Sequence, residues 1–366
     1  MKIIAALTIG IVIPGGMCSA QPAALAEKTA GQAWKNVIAL KDVPASQWGA
    51  TMDVISGSLG VGCQYCHAEP FESDTKKTKL TARSMIQMTQ EINARSFGGR
   101  TVVTCNTCHQ GGAHPKSTPS LWNKTPEELA AYKKEAELAA ERAKAPAPEK
   151  SAESLPDLER VLANYRKAVG DSPVKSMHMM ATMAPDRGSP RDVEVSVVFP
   201  DKLALALLSS GIQAKTVLNG DRGWSVTPQG KVDVPPERIP QMKQNIALFG
   251  PIKFASSDGP RNVTGIEHAA GRTSFIVESN TPKKLERLYF DTQTGLLHKV
   301  HSETRTVLGP SVNELVFEDY RDVGGVKLPF SMKLFTYSDR LVYTFSEIQA
   351  NVGVDPAKFE PPPPAK

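Results

Sequence analysis

The sequence predicts a multidomain chain: a mainly α segment followed by an α+β domain built on a curved antiparallel sheet. Three observations carry this. Gly, Met, Cys and His concentrate in residues 30–124, alongside apolar residues at helical spacing. An Ala/Glu/Lys run and then a Pro-rich stretch fill 125–156. From 157 to 360 a single amphipathic helix gives way to period-two alternation broken by turn residues, the mark of antiparallel strands. The length of 366 residues suits two domains, and a composition that is 40% apolar and 22% charged is that of a globular chain. The net charge of +5 is spread along the chain without a Lys/Arg block, so nucleic acid is not an expected partner.

The first 20 residues read as an export signal. Lys2 supplies the positive start, Ile3 to Ile13 form a short apolar core, and Pro14-Gly15-Gly16 breaks it. Small residues at Ser19 and Ala20 suit cleavage after Ala20, which makes Gln21 the first mature residue and sends the protein to the periplasm. An uncleaved anchor is the alternative to cleavage. Acylation of Cys18 is a third outcome and would hold the protein at a membrane, although Met17 is bulky for the position before an acylated cysteine. No later stretch has the ~18 apolar residues of a membrane-spanning helix.

The remaining cysteines all lie in two motifs, Cys63-Gln64-Tyr65-Cys66-His67 and Cys105-Asn106-Thr107-Cys108-His109. A disulfide explains two cysteines three apart, and so does a zinc site. Neither explains why His follows the second cysteine both times. Covalent haem attachment does: two sulfurs on one helical turn form thioethers to one ring, and the next residue offers its imidazole to the iron. Two covalent haem c groups are therefore the expected cofactors, with Cys63, Cys66, Cys105 and Cys108 as attachment points and His67 and His109 as proximal ligands.

The far side of each iron decides between electron transfer and ligand chemistry. Met52 lies on a helical stretch (Trp48, Met52, Ile55, Leu59) that ends at Gly60 and Gly62, so a turn there carries Met52 back over the first ring. Plain core packing is the alternative role for Met52. Met85 and Met88 share a face of a helix over Thr81 to Asn93, so one of them reaches the second iron while the other packs. The segment thus repeats the order helix, turn, haem helix.

This layout resembles the cytochrome subunit of photosynthetic reaction centres. The likeness rests on Leu59-Gly60-Val61 before Cys63, on Thr81 to Asn93, and on Val103 to Gly111, and it covers about residues 30–120. It implies a c-type cytochrome that carries electrons and is not an enzyme. It also implies Met85 as the second distal ligand, with Met88 as the alternative. Four-haem members of the family carry an extra His before the next motif; Ala94 to Thr104 has none, which suits a stand-alone pair of haems.

Further along, Thr125-Pro126-Glu127-Glu128 reads as the start of a spacer helix reaching about Lys144, followed by a linker. Leu158, Val161, Leu162, Tyr165 and Val169 predict a helix stopped by Gly170. Strands are expected at Val193 to Val197 and on either side of Asp291 to Gly295. Another hairpin is expected from Val326 to Tyr337 and Leu341 to Ile348, and a disordered tail at Pro361 to Pro364. This part is similar in pattern to periplasmic lipoprotein-carrier folds, open β half-barrels with a helix lid. The matching pieces are Asn219 to Trp224, Tyr289 to Leu297 and Tyr320 to Pro329. That resemblance implies room for an apolar ligand, against the alternative of a filled docking module.

The reading is a periplasmic diheme cytochrome that passes electrons between redox proteins, membrane-bound complexes among them. Two other classes stay open. A diheme peroxidase-type oxidoreductase needs an open iron and a polar distal pocket, to which His114 is the nearby histidine on offer. A lipid or lipoprotein carrier would use its haems only as accessories.

Overall fold

A computed structural model describes residues 28–115 and 155–361, except 171, 187, 209–213, 228–229, 252–259, 270–271 and 337–339, together with single positions between 130 and 137. The export signal with Cys18 lies outside the described residues. So do almost all of the spacer and linker, the turn at Ser338-Asp339, and the tail beyond Pro361.

The first part is helical: α1 (Ala30–Ala33), α2 (Trp48–Leu59), α3 (Lys77–Phe97) and α4 (Cys105–His109). Helices α2 and α3 both stop at a glycine in the left-handed region, Gly60 at φ 65° and Gly98 at φ 61°. Left-handed backbone there suits glycine and ends a helix cleanly. The third helix begins four residues earlier and ends four later than Thr81 to Asn93, because its Lys- and Arg-bearing ends extend the helix without adding to the apolar stripe.

The second part opens with α5 (Leu158–Val169), whose N-cap Asp157 accepts a hydrogen bond from the Arg160 amide at 2.7 Å. Thirteen strands follow: β1 (Ser176–Pro185), β2 (Arg191–Val198), β3 (Lys202–Leu207), β4 (Lys215–Asn219), β5 (Arg222–Thr227), β6 (Gly230–Asp233), β7 (Arg261–Ala269), β8 (Arg272–Asn280), β9 (Lys284–Asp291), β10 (Leu297–Thr306), β11 (Gly309–Asp322), β12 (Lys327–Phe335) and β13 (Arg340–Ala350). A further helix, α6 (Ile239–Ile246), lies between β6 and β7. The strands form one antiparallel sheet in the order β6 through β1, then β13 back through β7. Strands β6 and β7 are left at its two edges, so the sheet is open. Each expected turn piece falls where the chain reverses: Gly220-Asp221 between paired Asn219 and Arg222, Thr292 to Gly295 after β9, and Gly324-Gly325 before β12.

Alternation decides which side is inside. Val193, Val195 and Val197 on β2 and Met177 and Met179 on β1 are buried against the helices. Val161, Leu162, Tyr165 and Val169 of α5 and Ile239 and Ile246 of α6 join the same core. Tyr165 meets Phe290 edge-on, with ring centroids 5.4 Å apart. The inner face is therefore largely filled. A cleft of about 320 Å³ remains between α5 and the β9–β10 turn, lined by Val161, Lys167, Phe275, Phe290 and Gln293 among others. On the outer face, Phe359 of a C-terminal 3₁₀ turn packs with Trp224, Val217 and Ala204.

The two parts touch through the β10–β11 hairpin. Leu308 at its tip is fully buried, in a cluster otherwise made of Ala30, Leu40, Val43, Val54 and Ile86. Next to it Gly309 has φ 125°, and a Cβ there would sit 3.1 Å from Thr104 Cγ2. Only glycine fits that approach.

Candidate functional site

The two motifs are held by the same device. Ahead of the first, Ser56 near the end of α2 donates to the Val61 carbonyl at 2.5 Å. Ahead of the second, Asn93 of α3 donates to the Val103 carbonyl at 2.7 Å and accepts from the Val102 and Val103 amides at 3.1 and 2.9 Å. Each valine stands two residues before the first cysteine of its motif. A polar side chain on a helix thus fixes the start of each motif.

The same parallel holds for the histidines. His67 Nδ1 lies 3.0 Å from the Phe71 carbonyl oxygen, and His109 Nδ1 lies 2.9 Å from the Gly112 carbonyl oxygen. A carbonyl can only accept, so Nδ1 carries the proton in both rings. Nε2 is left as the lone-pair nitrogen, and the carbonyl sets the orientation of the ring. This is the arrangement a metal-ligating imidazole needs from its surroundings.

The motifs differ in local shape. The second is one α-helical turn, with the Thr104 amide donating to Thr107 Oγ1 at 3.0 Å. The first was expected to be helical as well, but it is a 3₁₀ turn over Cys63–Tyr65. Gly62 at its N-cap has no side chain to offer. The carbonyls an α-helix would use for its next turn are taken by the start of α3 instead: its N-cap residue Lys76 donates to Gln64 and Thr78 to Tyr65. Cys66 and His67 still bond back to the Cys63 carbonyl, so the thiols and the imidazole stay on one turn.

All four cysteines are free. Burial pushes the Cys66 and Cys105 thiols up, which keeps them protonated at neutral pH. Among the described residues no three His, Cys, Asp or Glu side chains converge as a metal site. The donor set at each motif is two thiols and one oriented imidazole, which suits a ring bonded through two thioethers with an axial nitrogen. Room for such a ring fits the surface too. Tyr65, Phe71, Leu80, Met85, Met88 and Val102 are all exposed, and all belong to the segments around the motifs. These exposed apolar side chains are available to pack on such a ring.

The methionines stand as follows. Met85 and Met88 are 39% and 42% exposed on α3, so neither is committed to the core. Met52 is half-buried on α2, which packs on α4. Its apolar cluster includes Cys105 of the second motif and no residue of the first. His114 follows α4 in an irregular loop.

One buried charge beside the first motif was not legible in the sequence. Lys79 is buried, and its Nζ donates to the Phe71 carbonyl at 3.1 Å and the Ser73 carbonyl at 2.9 Å. The Phe71 ring also stacks on His67 at 5.1 Å. A lysine in a Lys-rich helix start looks like solvated charge, and the signal that it is not lies in where the chain folds back.

Residues 13–188 match the family model described as "Photosynthetic reaction centre cytochrome C subunit". The match runs through α5 and β1. The photosynthetic reaction center cytochrome c subunit of Rubrivivax gelatinosus is 35% identical over 91 residues, 24% of this chain and 25% of that one. Cytochrome c-554 of Chloroflexus aurantiacus is 38% identical over 95 residues, covering 22% and 23%. The chain thus spans about a quarter of the length of these relatives. Among solved structures, a DUF1329 family protein from Desulfovibrio piger aligns with a TM-score of 0.39 at 14% identity, over 55% of this chain and 95% of that one. A LolA superfamily protein from Nitrosomonas europaea aligns at 0.38 and 10% identity, over 57% and 99%. The N-terminal part of this chain is thus similar to the photosynthetic reaction centre cytochrome c subunits, and an open antiparallel sheet follows it.

Proposed function

We propose that the chain is an exported diheme c-type cytochrome that passes electrons between redox proteins in the periplasm. One observation carries this: each Cys-x-x-Cys pair is followed by a histidine whose Nδ1 is tied to a backbone carbonyl, which leaves Nε2 to bind. A haem bound there supplies reversible one-electron iron chemistry. Cys63 and Cys66 hold one ring and Cys105 and Cys108 the other; His67 and His109 are the proximal ligands. Met52 and Met85 serve as distal ligands, with Met88 the alternative to Met85. Residues 30–124 form the cytochrome domain and 157–360 the sheet domain. The cleft against α5 is where an apolar ligand of the sheet domain would sit, and membrane-bound electron-transfer complexes are among the partners.

The test is the mass and the reduced pyridine spectrum of the protein made in cells that attach haem c. Two haems per chain are expected, and one in the double variant Cys63→Ala/Cys66→Ala. A wild-type mass without haem would overturn the reading. Met52→Leu should keep both haems attached and lower the potential of one, since thioether ligation raises it. An unchanged potential would remove Met52 from the ligand set.

A further inference from the structure

A buried charge stands beside the first motif. Lys79 stands on the first turn of α3, and its side chain is only 11% exposed. Its ammonium donates to the same Phe71 carbonyl that orients His67. A carbonyl has two lone pairs, so it accepts from both at once. Among the described residues, no charged side chain shares the Gly112 carbonyl with His109. Lys79 is itself held by the Ser73 carbonyl and by Asp74, whose Oδ1 is 3.4 Å away. Asp74 also accepts from Arg83 at 2.9 Å and Asn36 at 2.8 Å, and these donors hold its carboxyl well below the usual carboxylate range. Two cations thus face one carboxylate beside His67, which leaves a net positive charge.

We propose that Lys79 is a positioning residue for His67 and that its charge raises the reduction potential of the first haem above that of the second. This rests on the haem reading given above. Two effects act in one direction. An ammonium on the Phe71 carbonyl weakens that oxygen as an acceptor, so the imidazole keeps its Nδ1 proton more fully and donates less to ferric iron. A buried cation on the carbonyl behind His67 would also disfavour the more positive oxidation state of an iron held by that imidazole, most strongly where water is scarce. The carbonyl bond additionally holds the loop at Phe71, and hence the imidazole plane.

The experiment is a redox titration of the full-length holoprotein and three variants. Lys79→Met keeps the buried stem and removes the charge. It should lower the potential of one haem only, by up to about tenfold in its reduction equilibrium, or about 59 mV for a one-electron couple. Lys79→Arg should restore most of the shift. Asp74→Asn removes the opposing charge and should move the same haem upward. A lesion that merely loosened the loop would move both single-charge variants the same way, and that result overturns the proposal. So does a Lys79→Met protein with two attached haems and unchanged potentials. Absence of haem at Cys63 and Cys66 in the wild-type mass would instead overturn the underlying haem reading.

Discussion

The sheet and the cytochrome part bury very different amounts of apolar surface. The sheet closes on a continuous core in which β1, β2, β8 to β13, α5 and α6 all take part. The cytochrome part has six buried apolar side chains in its cluster, and one of them, Leu308, is lent by the sheet. Met85, Met88, Phe71 and Val102, in the segments around the two motifs, are exposed. A small helical segment with so small a core needs a staple. The difference teaches that the cytochrome part is organised around what it is to bind and around its neighbour, whereas the sheet is organised around itself.

The sharpest way to break that comparison is to withhold the staple. With all four motif cysteines changed to alanine, the helical signal and the exchange protection of residues 30–115 should be largely lost while the sheet keeps both. Circular dichroism and hydrogen exchange read this directly. Equal persistence of helix and sheet would mean that the cytochrome part is self-sufficient.

A smaller effect is expected from the borrowed side chain. Leu308→Ala should cost about 2–5 kcal/mol, as deletion of a fully buried leucine does. The loss should appear as faster exchange in α2 and α4, not in β1 or β2. Val307 beside it is 40% exposed, and its change to alanine should cost much less. A Leu308 variant that loosened only its own hairpin would separate the two parts again.

The smallest effect belongs to the sheet alone. His298 accepts or donates a short 2.6 Å hydrogen bond with buried Ser274, and burial pulls its pKa down from the ordinary 6.5 to about 4. The unfolded chain therefore takes up the proton first as pH falls. The contribution of a neutral His298 is complete above pH 6.5, declines between 6.5 and about 4, and changes no further below that. Urea midpoints of the sheet transition should fall over that window, and His298→Gln should flatten the fall. A slope unchanged in the variant would assign it to other groups.

Much of the fold is written locally. The alternation Val193, Val195, Val197 predicts a strand with a buried face, and all three are buried on β2, where Ser196 on the other face is buried too. Asp157 and Gly170 bracket α5 at the predicted ends, because a cap and a stop are local chemistry. The two Cys-x-x-Cys-His motifs, the helices before them and the glycine that ends the first of those helices were equally legible, since each depends on residues within a few positions. The shape of the first motif was not. It is 3₁₀ because Lys76 and Thr78, more than ten residues on, take its carbonyls.

By itself, then, the sequence determined the two-part order, the element types and the residues whose chemistry suits a covalently held haem. All of these follow from periodicity and short-range spacing. Only the tertiary structure decided that Leu308 completes the cytochrome core, that Met52 shares a cluster with Cys105, and that Lys79 reaches the carbonyl behind His67. The physical reason is the same in each case: these contacts join segments that are far apart along the chain, and burial or hydrogen bonding gives them their value only once the chain has brought them together.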